Sequence, residues 1–494
     1  MSRRSGPVRA TLLAVAVGWL VAGASLSSWS VQLASPQAHA GVPRTSHVLV
    51  EDAGLICPGQ DRAGAPGLRD VPGTVRVSVA APPLGVVPGL KTSAAGTVGV
   101  AALPGGSTLV SAADRARSVA VSPQGSPADA LSAQAAGALA PGLVAAQTWL
   151  RQGDDDRGLA VTACSLPASD LWLLGGSAGP SRLERVVLTN PGANAVSARL
   201  EVLGAKGAVP GAGDRAVSIA PRSRTVVSLD ALAPDEGSPA VHVIASGGVV
   251  AGVLVDSWID GATGRGMDVA TPSAPPAKEL VIAGVDPAGS AILRLANPGD
   301  VEALTRVVLL TSAGGVQPEP LRVVRVPARS TLDVPLPGST AGMSGVRIVS
   351  DRALTAGAWV ERRAASGNDR MGDFGWAPAT PPVRGLAGLS LPGADRLSLS
   401  STLELAAGPA GGVATVTTST RGAVSSQTLT LGPDSAKRVP LGQTDLVWVA
   451  PSAGALHAAV TVSAADADGP LYSVVALDSA PVTVLSLPVR QLGG

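Results

Sequence analysis

The chain has 494 residues and a formal net charge of +1, and its 46% apolar residues are mostly Ala, Val and Leu, with one Phe, one Tyr and eight Trp. That length suggests three or four domains, and near-neutral charge without a basic, aromatic-interleaved stretch excludes a nucleic-acid groove. Sixty Gly and 41 Pro raise the question of disorder, but many Val/Leu runs of strand length indicate short strands separated by frequent turns.

At the N-terminus Arg3, Arg4 and Arg9 precede the apolar run Ala10 to Leu26, and a polar stretch ends in "AHA" at Ala38 to Ala40. A basic region, an apolar region and an A-x-A site together make an export signal. The gap before Ala40 is long for cleavage and the apolar run slightly short for a full span. Removal and retention as a membrane anchor both stay open. Either way the body is expected outside the cytoplasm, touching the membrane through this segment if it is kept.

After it, one phrase returns. "VVLTNPGANAVSARLEVLG" from Val186 and "LRLANPGDVEALTRVVLL" from Leu293 each place Asn-Pro-Gly between two apolar runs. With Asn190 aligned on Asn297, Ala198, Leu200 and Val202 match Thr305, Val307 and Leu309 along one strand face. Pro fixes φ and Gly accepts the positive φ that a type II turn demands. "APRSRTVVSL", "VPARSTLDVPL" and "LGPDSAKRVPL" form a second matched set, and Pro-rich seams begin at Thr271 and Ala377.

The period is about 105 to 110 residues, which predicts an all-β chain of tandem Ig-like β-sandwich repeats. The expected divisions are a signal or anchor segment at 1–40, a divergent first sandwich at 41–165, and further sandwiches at 166–275, 276–380 and 381–494. Seven strands are expected in the second repeat, near Leu171, Val187, Leu200, Val217, Val226, Val243 and Val253. A β-propeller with two blades per repeat ranks lower, because the halves of a repeat do not resemble each other. In the first repeat, Gly137 to Trp149 contains a stretch that could pass for a helix.

Chemistry-bearing residues are sparse. Cys57 and Cys164 are the two cysteines, and in an oxidising compartment they favour a structural disulfide over free thiols or a metal pair. "GGSAG" at Gly175 to Gly179 fits a nucleophile elbow, but the following sequence continues as a strand, so a hairpin turn is preferred for Ser177. His47, His242 and His457 lie in different stretches, which disfavours a triad or a multi-His metal site. "GDDDRG" at Gly153 and "ADADG" at Ala465 lack the remaining ligands of a calcium loop and read as solvated turns. Trp149, Trp258, Trp359 and Trp448 recur near the last strands of successive repeats; they stack on sugars if exposed and fill the core if buried, the second being favoured. Thr271 and Thr380, in Pro-rich seams, are O-glycosylation candidates.

The runs "GLAVTACSLPASDLWLLGG", "RVVLTNPGANAVSARLEVLG" and "LDALAPDEGSPAVHVIASGGVVAGVLVDSW" resemble an actinobacterial family of exported proteins known mainly as a domain of unknown function. The resemblance covers about residue 45 to the end. It implies an envelope or secreted location and genes often found beside glycosyltransferases, and it brings no catalytic residues. The expectation is a non-catalytic envelope protein that takes no cofactor and binds or scaffolds a surface glycan or partner protein. The alternative is a glycan-active enzyme or an accessory of polysaccharide assembly.

Overall fold

The computed structural model describes residues 46–60, 75–90, 95–122, 130–152, 157–179, 182–213, 216–261, 263–287, 289–338, 340–364, 371–391, 399–465 and 468–486. The signal or anchor segment at 1–40 lies outside them. Leu49–Val484 form one compact unit. Outside it, Ser46–Val48 and Leu485–Ser486 belong to the strands Ser46–Leu49 and Thr483–Ser486.

The chain is all-β. Its described helices are a single turn at Leu229–Leu232 and a 3-10 turn at Glu319–Leu321. In the second block of strands, one sheet runs Asp170–Leu174, Ala240–Ser246, Val196–Gly204, the last pairing with Gly207–Ala208 and Ala216–Ile219. The facing sheet runs Ser223–Ser228, Arg182–Asn190, Ala251–Asp260, Thr263–Ala270, all antiparallel. Strands near all seven expected positions are present, and Thr263–Ala270 is an additional one. The same pairing order appears in the first block, with Asp52–Cys57, Ala130–Gly137, Gly96–Leu103, Thr108–Ala112 facing Val119–Val121, Val75–Ala80, Val144–Gln152, Arg157–Ala163. The helix-like stretch after Gly137 is instead a turn leading into the strand Val144–Gln152. That strand pairs on both edges with Val75–Ala80 and Arg157–Ala163 and is buried on both faces, so an apolar run without alternation fits it.

In the third and fourth blocks, consecutive strands fuse into long ones that pass from one sheet to the other. Met343–Arg363 pairs through its first half with Ala277–Ala283 and Ala303–Thr311, and through its second half with Ser290–Asn297 and Gly372–Pro378. Ser400–Thr420 and Leu446–Ala465 do the same in the fourth block, with a register shift between Ala407 and Gly412 where the strand bends. Alternation along Val196–Gly204 buries Val196, Ala198, Leu200 and Val202 against Leu171, Val186, Leu188 and Val243. Each buried Val or Leu contributes about 1.5 to 3 kcal/mol relative to exposure, so many small side chains stand in for the missing aromatics.

The turns are fastened alike in every block. A non-glycine residue with positive φ lies shortly before Val119–Val121, Ser223–Ser228, Ser330–Pro335 and Ala436–Pro440: Ala116, Arg222, Arg329 and Asp434. Their backbone N–H groups donate to the carbonyls of Ala81, Gly192, Gly299 and Gly408, at 2.9, 2.9, 2.9 and 3.0 Å.

The final strands of the four blocks, Arg157–Ala163, Thr263–Ala270, Gly372–Pro378 and Pro470–Ala476, pack against one another in a closed cycle, first on second, second on third, third on fourth, fourth on first. Glycine permits this approach: a Cβ on Gly266, whose φ is +114°, would lie 2.6 Å from the Asp373 Cα, and one on Gly375 would lie 2.8 Å from a Val474 methyl. Asp373, fully buried, sits at the centre. Its Oδ2 accepts the N–H groups of Leu159 and Tyr472 at 2.8 and 2.9 Å, and its Oδ1 those of Met267 and Phe374 at 3.1 and 3.0 Å. One carboxylate therefore takes an amide from each of the four final strands. Beside it, Asp268 accepts from the Trp376 N–H at 2.6 Å and from the Ser473 hydroxyl at 2.9 Å. Burial pushes both carboxyl pKa values well above the usual range, and the N–H donors pull against it.

Candidate binding site

Beyond the ends of the four final strands the chain crosses its seams, and four of these linkers surround a cavity of about 360 Å³. Ala163 to Ser165, Thr271 to Pro275, Pro381, Ala476 and Asp478 to Pro481 all line it, joined by Leu55, Leu143 and Leu171. Proline sits at these positions because a linker leaving a strand needs no further ladder hydrogen bonds, and its ring adds rigid apolar surface. Cys164 forms part of the wall. It is joined to Cys57 with a Cα–Cα distance of 4.4 Å, so the bridge ties the first strand of the first block to that block's exit. Reciprocal backbone bonds between Ile56 and Ser165, at 2.8 and 3.0 Å, hold the same corner.

Two carboxylates reach the cavity. Asp170 is occupied: His242 Nε2 lies 3.1 Å from its Oδ1, and the His242 ring stacks on Trp172 at 4.1 Å between centroids. Asp478 has no hydrogen bond or ion pair among the described residues. Asp478 is exposed on the cavity wall. Desolvation alone pushes its pKa up to about 6.

The other candidates do not converge. Ser177 follows the strand Asp170–Leu174, and its loop is fixed by polar contacts from both sides: its N–H donates to Glu184, while the buried Arg294 guanidinium donates to the carbonyls of Gly175 and Gly176 at 3.2 and 2.8 Å. Arg294 also donates to the Pro239 carbonyl at 3.1 Å and pairs with Asp333 at 2.8 Å. No histidine contact to Ser177 occurs among the described residues. His47 is exposed in Ser46–Leu49, and His457 is buried with Nδ1 3.3 Å from the Thr380 hydroxyl. Burial lowers the His457 pKa to about 4. Thr380 is itself buried, which withholds its hydroxyl from modification in the folded chain, whereas Thr271 is half-buried on the cavity wall.

Trp149 and Trp448 are fully buried, so neither offers a free ring face. Trp258 and Trp359 are partly buried against the core of the second block, with the Arg182 guanidinium 5.3 Å from the Trp258 ring centre. The four occupy different positions: Trp448 lies in the strand half that pairs with Ala387–Ser390, away from the axial strands. Residues 153–156 and 466–467 of the acidic loops lie outside the described residues. Among the described residues no group of three or more His, Cys, Asp or Glu is placed to hold a metal ion.

A polar cluster that sequence reading missed joins the second and third blocks. Arg182 makes a bidentate pair with Asp256, at 2.9 and 2.6 Å, and Asp256 also accepts from Trp376 Nε1 at 2.9 Å. Arg182 lies 3.3 Å from Glu184 as well. With two carboxylates sharing one guanidinium in a buried place, desolvation and then repulsion from Asp256 raise the Glu184 pKa to about 8.

No curated protein matches the chain. A crystal structure of a tetra-tandem repeat in the extending region of a large adhesion protein aligns with 81% of this chain and 97% of its own, at 14% identity. Its TM-score of 0.09 is too low to carry any inference. Residues 119–442 match the profile of a family of unknown function (DUF5719), and the protein belongs to that family.

Proposed function

We propose that this protein is an exported, non-catalytic envelope module that binds and scaffolds a partner through the linker end of its four-block ring. The observation that carries this reading is the convergence of four seams on one ligand-sized apolar cavity, while Ser177, His242 and His457 stay in separate surroundings. Export is supported by the basic and apolar N-terminal sequence and by the disulfide, since such bridges persist in oxidising compartments. The described residues contain no helix long and apolar enough to cross a membrane. Burial of Trp149 and Trp448 shifts the balance from sugar stacking towards a partner that presents apolar groups.

The test is to express the full chain with its own N-terminal segment in a bacterial host, fractionate the cells and titrate free thiols. In-cell cross-linking at Leu166, exposed on the cavity wall, then follows. The reading expects an extracytoplasmic protein without free thiols and one defined adduct. A cytoplasmic protein with reduced cysteines, or glycan cleavage by the purified chain, would contradict it.

A further inference from the structure

We propose that the cavity at the linker end of the axis is a binding site for a monovalent organic cation carried on a compact apolar body, with the Asp478 carboxylate as its counter-ion. The proposal rests on the binding-module reading and adds the chemistry of the ligand.

Three features select this class. Leu55, Leu143, Leu171, Pro272, Pro381 and Pro481 make walls that reward an apolar body and offer few hydrogen bonds to a sugar. Asp478 contributes a negative group that no cation or N–H donor of the described chain compensates. Asp478 is exposed, so solvent partly screens its attraction for a cation, and the apolar walls supply the rest of the affinity. A hard divalent ion is disfavoured: calcium requires six to eight oxygen ligands, and here Asp170 is already engaged by His242. An anion would face two carboxylates.

Protonation gives a second handle. The titratable groups on the wall are Asp478 and Asp170, and behind Asp170 stands His242, whose Nδ1 is 3.7 Å from Glu201. Asp478 pushed up to about 6 is largely ionised at pH 7.5 and largely protonated at pH 5. A bound cation favours the ionised form, so binding weakens on acidification.

The experiment uses the full chain at pH 7.5 and two probes of nearly equal shape, benzylammonium and neutral benzyl alcohol, followed by saturation-transfer NMR titration. Benzylammonium should bind about tenfold more tightly than the alcohol, the order expected of one charge-assisted contact. Asp478→Asn should remove that difference, Asp170→Asn should keep it, and acidifying the unmodified protein to pH 5 should reproduce the loss without any substitution. Equal affinity for both probes, absence of binding by benzylammonium, or unchanged preference in Asp478→Asn at its normal melting temperature would overturn the proposal. These outcomes are independent of export, thiol status and in-cell cross-linking, so failure here is distinguishable from failure of the binding-module reading.

Discussion

Asn190 and Asn297, 107 positions apart, make the same four hydrogen bonds. Asn190 Nδ2 donates to the carbonyls of Asn194, Ile219 and Ala220 at 2.8, 3.2 and 3.0 Å, and its Oδ1 accepts from the Gly192 N–H at 2.9 Å. Asn297 does so with Val301, Val326, Pro327 and Gly299, at 2.9, 3.2, 3.0 and 3.0 Å. Both side chains are fully buried and tie the Asn-Pro-Gly turn to the turn before Ser223–Ser228 or Ser330–Pro335. Asn is required because one small group must both accept one N–H and serve three carbonyls.

Asn190→Ala and Asn297→Ala should each destabilise the fold by about 2 to 4 kcal/mol, since several buried backbone groups lose their partner. Asp at either position should be no better, because a carboxylate cannot donate to the three carbonyls. Denaturant titration of each variant checks this. Ala-like stability for Asp and a clear loss relative to Asn is the expected pattern.

Along the axis, Gly266→Val should be more damaging than any surface substitution, because its Cβ would meet both the Asp373 Cα and a carboxylate that four backbone N–H groups hold in place, neither of which can move aside. Asp373→Asn is the subtler probe. The amide nitrogen would face two N–H donors that a carboxylate oxygen satisfies, costing about 2 to 5 kcal/mol. Amide exchange at Leu159, Met267 and Tyr472 should accelerate together in that variant, and acceleration at Phe374 alone would deny the shared contact.

Stability should fall from pH 6.5 to pH 8. The Glu184 carboxyl, at about 8 when folded against an ordinary value of 4.5, binds its proton more tightly in the folded state, so its contribution is present at low pH and lost as pH rises. Glu404, raised by desolvation to about 7, acts in the same direction. His457 acts in the opposite sense: lowered to about 4, its neutral form favours the fold above its ordinary 6.5, and that contribution is lost on acidification. Between pH 6.5 and 8 the histidine adds only about 0.4 kcal/mol in that opposite sense, and Glu184 should account for a loss on the order of 1 to 2 kcal/mol. Denaturant midpoints of the native chain and Glu184→Gln across that range decide it; a slope unchanged in the variant would remove Glu184 from the account.

Cys57→Ser with Cys164→Ser should lower stability by about 4 to 5 kcal/mol in the chain-entropy picture, the bridge closing a loop of 107 residues. Because Cys164 lines the cavity, the same variant should loosen the linker end and increase proteolysis near Ser165. Limited proteolysis followed by mass spectrometry would show it.

Much of this architecture is legible in the sequence. Alternation at Ala198, Leu200 and Val202 marks the strand, and Asn-Pro-Gly marks a turn. That turn, however, crosses from one sheet to the other and has neither Gly192 nor Gly299 at positive φ, so it is not the type II turn expected. Thr263–Ala270 is harder to see. With Gly264, Gly266 and Asp268 in eight residues it reads as a turn, yet it is buried because the glycines admit neighbouring strands and Asp268 finds donors on them. Buried carboxylates also look like solvated ones in sequence, so Asp373 passes for part of a polar loop. The cavity is invisible for a related reason: its walls come from seams more than a hundred residues apart, and what distinguishes Asp478 is the absence of a partner. No local pattern reports that.

The central claim is that the four blocks close into a ring, with the first against the fourth. Ser118 and Ser390, 272 positions apart, place their hydroxyl oxygens 3.0 Å from each other across that junction. Changing both to cysteine and running the oxidised full chain on a non-reducing gel tests the closure most directly. The ring predicts spontaneous cross-linking and a faster-migrating band that reductant abolishes. Two free thiols and unaltered mobility under the same oxidation would mean that the blocks form an open string.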